Sequence, residues 1–253
     1  MRSIIIHYHL FKNAGTSIDS ILSASFKDLW KNFDNENSGS RFSPMEFEKI
    51  IAEHPDLKAF SSHQIVPPIP NNGLRVFPIV FLRHPIDRLK SAYLFEWKKQ
   101  LGLEAPKGTL QEYVLSKFEK RRANAIEEFH VMTLANKGYE GRRPSSSLTD
   151  EQLLSNAKSF IDTVPFYGIV ERFDESLKRL DYFLKMEFPE FCPKVIELNV
   201  TQDRSKDIDE RVSRIQAELG ADLYEEVLDR NKLDLQLYSY ALDNFYSIPQ
   251  ATP

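Results

Sequence analysis

The N-terminal part of the chain changes from an apolar run to a helical pattern across one short polar turn. Residues 4–8 are mostly apolar and have the length of a buried strand. A polar turn follows at residues 11–16, and apolar side chains then recur every three or four positions as far as residue 29. This pattern predicts a strand, a turn and a helix in that order.

A second unit of the same kind starts at residue 76. Residues 76–82 are apolar throughout, which is typical of a strand buried on both faces. Pro78 cannot donate a ladder hydrogen bond, so we expect it near the start of this strand or at a sheet edge. Arg83 and His84 then form a turn, and the apolar spacing up to Trp97 predicts a helix whose first residue is Pro85.

Further segments continue the alternation. Ser43 with Glu46, and Thr149 with Gln152, have the spacing of helix capping boxes. The remaining predicted strands are residues 57–60, 166–170 and 195–200, and helical periods fill residues 177–184 and 207–245, with breaks at Gly220 and near Arg230 and Asn231. The strand at 57–60 would deliver residues 61–64 to a loop.

Strands that alternate with helices favour an α/β fold, a doubly wound parallel sheet with right-handed crossovers and flanking helices. We expect a single domain over residues 1–253. Residues 98–147 have a mainly helical pattern. Their last ten residues, 138–147, are rich in glycine, arginine and serine, which predicts a loop. We interpret residues 98–147 as a largely helical insert.

The composition is that of an ordinary globular protein. The 253 residues are 42% hydrophobic and 28% charged, with a net charge of −4. Cys192 is the only cysteine, which excludes an intrachain disulfide and is typical of a reducing compartment. The first apolar run is too short for a signal peptide, and no stretch reaches the ~18 apolar residues of a transmembrane helix, so we expect a cytoplasmic protein. No general attraction to nucleic acid is expected, so an anionic partner needs a local cationic cluster.

The first turn has the residue types of a phosphate-binding loop. Lys12, Gly15, Thr16 and Ser17 would bring an ammonium group, two hydroxyls and backbone N–H groups to the positive end of a helix. It is not a Walker A loop, because the lysine precedes the glycine by three residues. The alternative interpretation is an ordinary helix N-cap at Thr16 with a solvated Lys12.

The second turn can form another anion site. Arg83 follows the strand, and Ser91 lies about two turns into the next helix, so a phosphate would fit between them. Alternatively, Arg83 pairs with Asp87 and Ser91 packs against the sheet. Two anion sites on one sheet favour a ligand with phosphate groups at both ends, such as a nucleotide phosphorylated at its 5′ and 3′ positions.

Both turns resemble motifs of a known enzyme family. Residues 9–17, HLFKNAGTS, resemble the 5′-phosphosulfate loop of carbohydrate sulfotransferases, and residues 82–93, LRHPIDRLKSAY, resemble their 3′-phosphate motif. Residues 167–176 and 198–201 are similar to later segments of the family. The likeness is closest to the branch of heparan sulfate 2-O-sulfotransferases and related Golgi enzymes. His84 departs from the pattern, because acidic residues are common at that position.

The resemblance implies a P-loop-like fold and an enzyme that uses 3′-phosphoadenosine 5′-phosphosulfate (PAPS) as co-substrate and releases 3′-phosphoadenosine 5′-phosphate (PAP). No metal is expected. It implies that Arg83 and Ser91 bind the 3′-phosphate and that the first loop binds the 5′-phosphosulfate through Lys12, Asn13, Ala14, Gly15, Thr16 and Ser17. Arg204 and its neighbour Ser205 either reach the 3′-phosphate or the adenine from the opposite side, or belong to a solvated loop.

Sulfuryl transfer needs a cation on the bridging oxygen and a base for the acceptor hydroxyl. We assign the first role to Lys12. His63 is the expected base, since it follows a predicted strand at a position that resembles the family's catalytic histidine. Glu171 is the reserve candidate, although its neighbour Arg172 suggests a structural ion pair.

His7 and His9 are weaker candidates for a role in chemistry. Their alternate spacing on a strand would suit a pair of metal ligands. The sequence offers no third ligand at a sensible spacing, so a structural role at the strand end is the simpler interpretation.

The acceptor is expected to be a hydroxyl-bearing molecule, most simply a carbohydrate. The positive charge of the insert would favour an acceptor that is itself anionic. This segment has ten Lys or Arg and six Glu, and a basic cluster that could hold an acidic glycan comprises Lys117, Lys120, Arg121, Arg122, Arg142 and Arg143. A solvated helix face is the alternative. Two other functions stay open, an ATP- and magnesium-dependent phosphotransferase and a non-catalytic nucleotide- or glycan-binding module.

Overall fold

Five parallel strands form the centre of the computed structural model, which describes residues 1–37, 39–70, 73–119, 125–136, 148–193 and 207–247. The strands lie in the order β2-β3-β1-β4-β5. In chain order they are β1 (Arg2–Tyr8), β2 (Trp30–Asn32), β3 (Ala59–Ser62), β4 (Leu74–Leu82) and β5 (Gly168–Ile169). Every strand pair is parallel, as the alternation of strands and helices predicts.

Helices cover both faces of the sheet, which confirms the doubly wound α/β class. They are α1 (Gly15–Phe26), α2 (Pro44–Glu53), α3 (Pro85–Leu94), α4 (Leu110–Glu119), α5 (Phe129–Leu134), α6 (Asp150–Thr163), α7 (Phe173–Lys185), α8 (Ile208–Leu219), α9 (Ala221–Asp229) and α10 (Lys232–Asn244). A π-helical turn, Phe95–Lys99, extends α3, and short 3₁₀ turns cover Lys27–Leu29 and Val170–Arg172. None of the described helices is long and apolar enough to cross a membrane.

The central strand β1 is buried on both faces. Ile4 and Ile6 pack with apolar side chains of α2, α6 and α10, whereas Ile5 packs with those of α1 and α7. Side chains of successive strand residues point to opposite faces, so a continuous apolar run suits a strand covered by helices on both sides. A third apolar cluster joins α3 and α4 to α8 and α9.

The strand register brings three strand ends to the same edge of the sheet. Tyr8, the last residue of β1, is paired with Ser62, the last residue of β3, and with Val80, two residues before β4 ends. The residues that follow these strands, among them His63 and Arg83, therefore emerge side by side. In open parallel sheets, ligands bind beyond this carboxyl edge.

Several predicted boundaries change in the structure. The third strand extends to Ser62, two residues further than predicted, because it pairs with β1 up to its end. The predicted strand at 166–170 is limited to Gly168–Ile169 and passes into a 3₁₀ turn. The edge strand β2 was not predicted, since its sequence, Trp30–Asn32, is short and mostly polar.

Pro78 lies in the middle of β4, so its predicted place near the strand start is wrong. The residue pairs with Ile6 of β1. On the other side of β4, the described part of β5 pairs only with Phe81 and Leu82. Among the described residues no strand pairs with this side of β4 at Pro78, so its missing N–H is tolerated there as at a sheet edge.

The predicted helix boundaries agree well with the structure. Ser43 and Thr149 both form capping boxes, and Pro85 is the first residue of α3. The breaks at Gly220 and at Arg230 separate α8, α9 and α10. The described part of the insert contains the end of the π turn, α4 and α5. The predicted loop at 138–147 and the predicted strand at 195–200 lie outside the described residues.

Candidate active site

A cleft of about 670 Å³ opens at the carboxyl edge of the sheet. It contains most of the predicted site residues, which come from three separate turns of the chain, namely Lys12, Ala14, Gly15, Thr16, Ser17, His63, Arg83 and Ser91. Lys12 and Arg83 thus face one cavity, as a ligand with two phosphate ends requires.

The first loop leaves the start of α1 open toward the cleft. Lys12 and Ala14 both adopt the left-handed backbone conformation, with φ values of 63° and 62°. Ala14 is the N-cap of α1 and provides no side-chain hydrogen bond, so the alternative of a Thr16 N-cap is wrong. Because Gly15 and Thr16 open the helix, their N–H groups have no acceptor within it, which favours an anion at this point.

Buried contacts hold this strained loop in place. The Nδ2 of Asn13 donates to the carbonyl of Phe11 at 2.9 Å, and its Oδ1 accepts a hydrogen bond of 2.8 Å from Nε2 of His130. The Nη1 of Arg83 donates to the carbonyl of Lys12 at 3.2 Å. Asn13 is buried and does not line the cleft, so its side chain supports the loop and does not face the predicted ligand.

The imidazole of His9 packs directly against Gly15. A Cβ atom at position 15 would lie 2.0 Å from Cδ2 of His9 and 2.2 Å from its Nε2, well inside any real contact. Gly15 is therefore required by the close approach of this ring, in addition to any contact with a ligand.

Lys12 is a partly buried cation in the cleft. Its Nζ lies 4.6 Å from the ring centroid of Phe95 in the π turn. Burial, together with the positive charges of Arg83 and Lys99, lowers the pKa of Lys12 to about 8. An anion in the cleft would stabilise its charged form.

Arg83 pairs with Asp87, as one of the two alternatives expected, and it also lines the cleft. Its Nε donates to Oδ2 of Asp87 at 2.8 Å, and Nε of Arg211 donates to the other carboxylate oxygen at 3.1 Å. The cleft is lined by Arg83 and by Ser91. Asp87 and Ser91 lie four residues apart on α3, and therefore on the same face of this helix. The ion pair thus fixes the guanidinium beside the cleft without removing it from there.

His63 is held by a carboxylate that the sequence did not indicate. The Nδ1 of His63 lies 2.8 Å from Oδ2 of Asp34, and the backbone N–H of His63 donates to Oδ1 at 2.8 Å. The hydroxyl of Ser62 also donates to Oδ1, at 2.9 Å. Burial alone would raise the pKa of Asp34, but the hydrogen bonds from His63 and Ser62 outweigh it and lower this pKa to about 2.

A second carboxylate joins His7 to His9. Asp19 of α1 accepts a hydrogen bond of 2.7 Å from Nδ1 of each ring, one on each carboxylate oxygen. Burial would raise the pKa of Asp19, but the two histidines bring it well below its ordinary value. Burial lowers the pKa of His9 to about 4 in spite of this partner.

Asp19 is also a possible third metal ligand beside His7 and His9, which the sequence analysis did not identify. The three residues offer ligand atoms that lie within 4.8 Å of one another, a spacing at which a metal ion could be held. The signal was a helical residue twelve positions after His7, which is recognisable only once the strand and α1 are packed together.

Glu171, the reserve base, is not among the cleft residues. It is half-buried, and its carboxylate accepts hydrogen bonds from the backbone N–H of His84 at 3.0 Å and from the hydroxyl of Tyr238 at 2.9 Å. The expected ion pair with Arg172 is wrong, because Arg172 pairs instead with Glu175. Burial raises the pKa of Glu171.

The cations near the cleft differ from those expected in the insert. Lys98 and Lys99 of the π turn line the cleft, and the sequence analysis did not single them out. Lys117 forms an ion pair with Glu96 and does not reach the cleft. Five predicted acceptor-binding residues, Lys120, Arg121, Arg122, Arg142 and Arg143, lie outside the described residues, as do Arg204 and Ser205.

A comparison with known protein families covers nearly the whole chain. The family model described as the sulfotransferase family matches residues 2–241. The chain belongs to the sulfotransferase family. The matched range includes the cleft and all five strands, so this sulfotransferase-family chain carries its candidate site within the shared fold. Membership makes sulfuryl transfer to a hydroxyl-bearing acceptor the general activity of the chain.

A relative from Archaeoglobus fulgidus extends this comparison. It is 31% identical to the sulfotransferase-family chain, and the alignment covers 96% of this chain and 98% of the relative. The relative is described as an uncharacterized protein, so it supports the common fold and carries no information on the acceptor.

We predict that Gly15→Ala destabilises the protein because the new methyl group overlaps the ring of His9. The free energy of unfolding, measured with urea, should fall by about 1–3 kcal/mol. In the background of His9→Ala, where the ring is removed, the same substitution should cost much less. An equal loss in both backgrounds would contradict the contact.

Proposed function

We propose that the chain transfers a sulfuryl group from PAPS to a hydroxyl of a carbohydrate. The observation that carries this proposal is that Lys12, His63 and Arg83, which follow three adjacent strands, line one cleft. The resemblance of the two anion loops to those of heparan sulfate 2-O-sulfotransferases supports both PAPS and a carbohydrate. The proposal treats residues 1–253 as one catalytic domain.

The donor would bind between the two turns. The open N-terminus of α1, with Ala14, Gly15, Thr16 and Ser17, suits the 5′-phosphosulfate, and Arg83 with Ser91 suits the 3′-phosphate. In this proposal, Asn13 contributes by supporting the loop, and Arg204 is a further candidate for the 3′-phosphate.

The reaction joins the acceptor oxygen to sulfur while the bond from sulfur to the 5′-phosphate oxygen breaks. His63 takes the proton of the acceptor hydroxyl, and Lys12 stabilises the charge that develops on the oxygen of the leaving PAP. His63 is preferred over Glu171 because it lines the cleft and Glu171 does not. Lys98 and Lys99 provide positive charge at the same cleft, which suits an anionic acceptor.

Incubation with PAPS radiolabelled at sulfur and a panel of glycans, lipids and phenols tests donor and acceptor together. We expect label on a glycan, with the same rate in the presence of a chelator. Transfer of phosphate from ATP with magnesium, and none of sulfate, would support the phosphotransferase alternative. Tight binding of PAP without turnover on any acceptor would instead indicate a non-catalytic module.

Two substitutions should separate binding from chemistry. Arg83→Ala removes charged hydrogen bonds to the 3′-phosphate and should weaken PAP binding by about 1.5–3 kcal/mol in calorimetry. His63→Ala removes the base and should lower kcat by about 10²–10⁴-fold while PAP affinity is retained.

The matched controls are Arg75→Ala and His54→Ala. Arg75 forms an exposed ion pair with Glu187, and His54 ends α2, so neither lines the cleft. Both variants should keep the affinity for PAP and the turnover of the unmodified chain. Unchanged PAP binding in a folded Arg83→Ala variant would remove the assignment of the 3′-phosphate.

Burial and neighbouring cations lower the pKa of Lys12 to about 8. The affinity for PAP should therefore fall as the pH rises through this value. The anionic ligand favours the charged lysine and raises its pKa, so binding takes up a proton above this pH. The affinity should decrease by up to about tenfold per pH unit, as one proton is linked to binding. Calorimetry in buffers of different ionisation enthalpy measures the proton uptake.

Lys12→Arg provides the control for this linkage, because a guanidinium stays charged across the same range. Its PAP affinity should change little between pH 7 and pH 9. An equally steep pH dependence in Lys12→Arg would assign the proton to another group.

A further inference from the structure

Asp34 binds His63 at two points. It lies in the loop after β2, on a different segment of the chain from His63, which follows β3. One carboxylate oxygen accepts from the backbone N–H of His63, and the other lies 2.8 Å from its Nδ1. A bond from the hydroxyl of Ser62 adds a third contact. Asp34 therefore fixes both the position of the backbone and the plane of the imidazole.

The hydrogen bond also selects the tautomer of the ring. An ionised carboxylate can only accept hydrogen bonds, so Nδ1 of His63 carries the proton that is shared with Asp34. In the neutral ring, Nε2 is then left with its lone pair. The side chain of His63 lines the cleft and is 41% exposed, so the ring is accessible to a molecule bound there.

His9 covers one face of this ring. The two imidazoles stack with their centroids 3.7 Å apart, and His9 is itself held by Asp19. Burial lowers the pKa of His9, which disfavours a second positive charge against His63. The hydrogen bond to Asp34 restricts rotation of the His63 ring, and the stacked ring of His9 supports one of its faces.

We propose that Asp34 is a positioning residue that makes Nε2 of His63 the proton acceptor and stabilises the imidazolium formed during transfer. The catalytic part rests on the proposed function. The acceptor proton moves to Nε2 as the new oxygen–sulfur bond forms and PAP leaves. Asp34 keeps its negative charge throughout and takes up no proton.

Asp34→Asn tests this role with a nearly isosteric change. The amide oxygen can still accept the backbone N–H of His63, whereas the amide NH₂ now faces Nδ1 and requires that nitrogen to accept. The proton of the neutral ring should therefore move to Nε2. Nitrogen NMR of isotope-labelled protein reports this exchange of tautomers directly, with the His63 signals identified by their loss in His63→Gln.

The kinetic expectation is a loss confined to the chemical step. With the acceptor found for the unmodified chain, kcat should fall by about 10²–10⁴-fold, and PAP affinity should stay unchanged.

Asp28→Asn is the matched control, since Asp28 lies exposed in the 3₁₀ turn just before β2. It should alter neither the His63 signals nor kcat, and Asp34→Glu should restore part of the activity. Retention of the Nδ1–H tautomer in Asp34→Asn would overturn the positioning role. A changed tautomer with full kcat would overturn its catalytic part. An unmodified chain without turnover on any acceptor would count against the proposed function alone, because the NMR result needs no reaction.

Discussion

The parallel pairing of β1 with β3 and β4 is the constraint on which the rest of this structure depends. Buried isoleucines on both faces of β1 fix its place between two layers of helices, and its register aligns the last residues of the neighbouring strands. The polar groups that line the cleft follow one of these strands or lie on the helix that comes after it. A buried core therefore positions the groups that line the cleft.

Electrostatics distinguish the cleft from the remainder of a mildly acidic chain. Lys12, Arg83, Lys98 and Lys99 line it, and no carboxylate does so in the part of the chain that the structure describes. The carboxylates lie one layer behind, where Asp87 binds Arg83, Asp34 binds His63 and Asp19 binds His9. The cations that line the cleft favour an anionic ligand, and the carboxylates behind them orient His9, His63 and Arg83.

The hydrophobic pattern predicted the fold class and most helix boundaries, because β1, α1 and α3 each obey one clear periodicity. It placed Lys12, His63 and Arg83 in the turns after apolar strands, and the resemblance to sulfotransferases indicated the roles expected of them. It could not reveal Asp34 or Asp19, whose partners are distant in sequence and adjacent only after packing. Pro78 and the short β5 show the same limit, since an edge depends on how far a neighbouring strand extends.

His9 touches Gly15 with one edge and His63 with one face. A single flat ring thus lies between the first loop and the side chain of His63. Because both contacts belong to one side chain, a substitution at position 9 would disturb the packing at Gly15 and at His63 together.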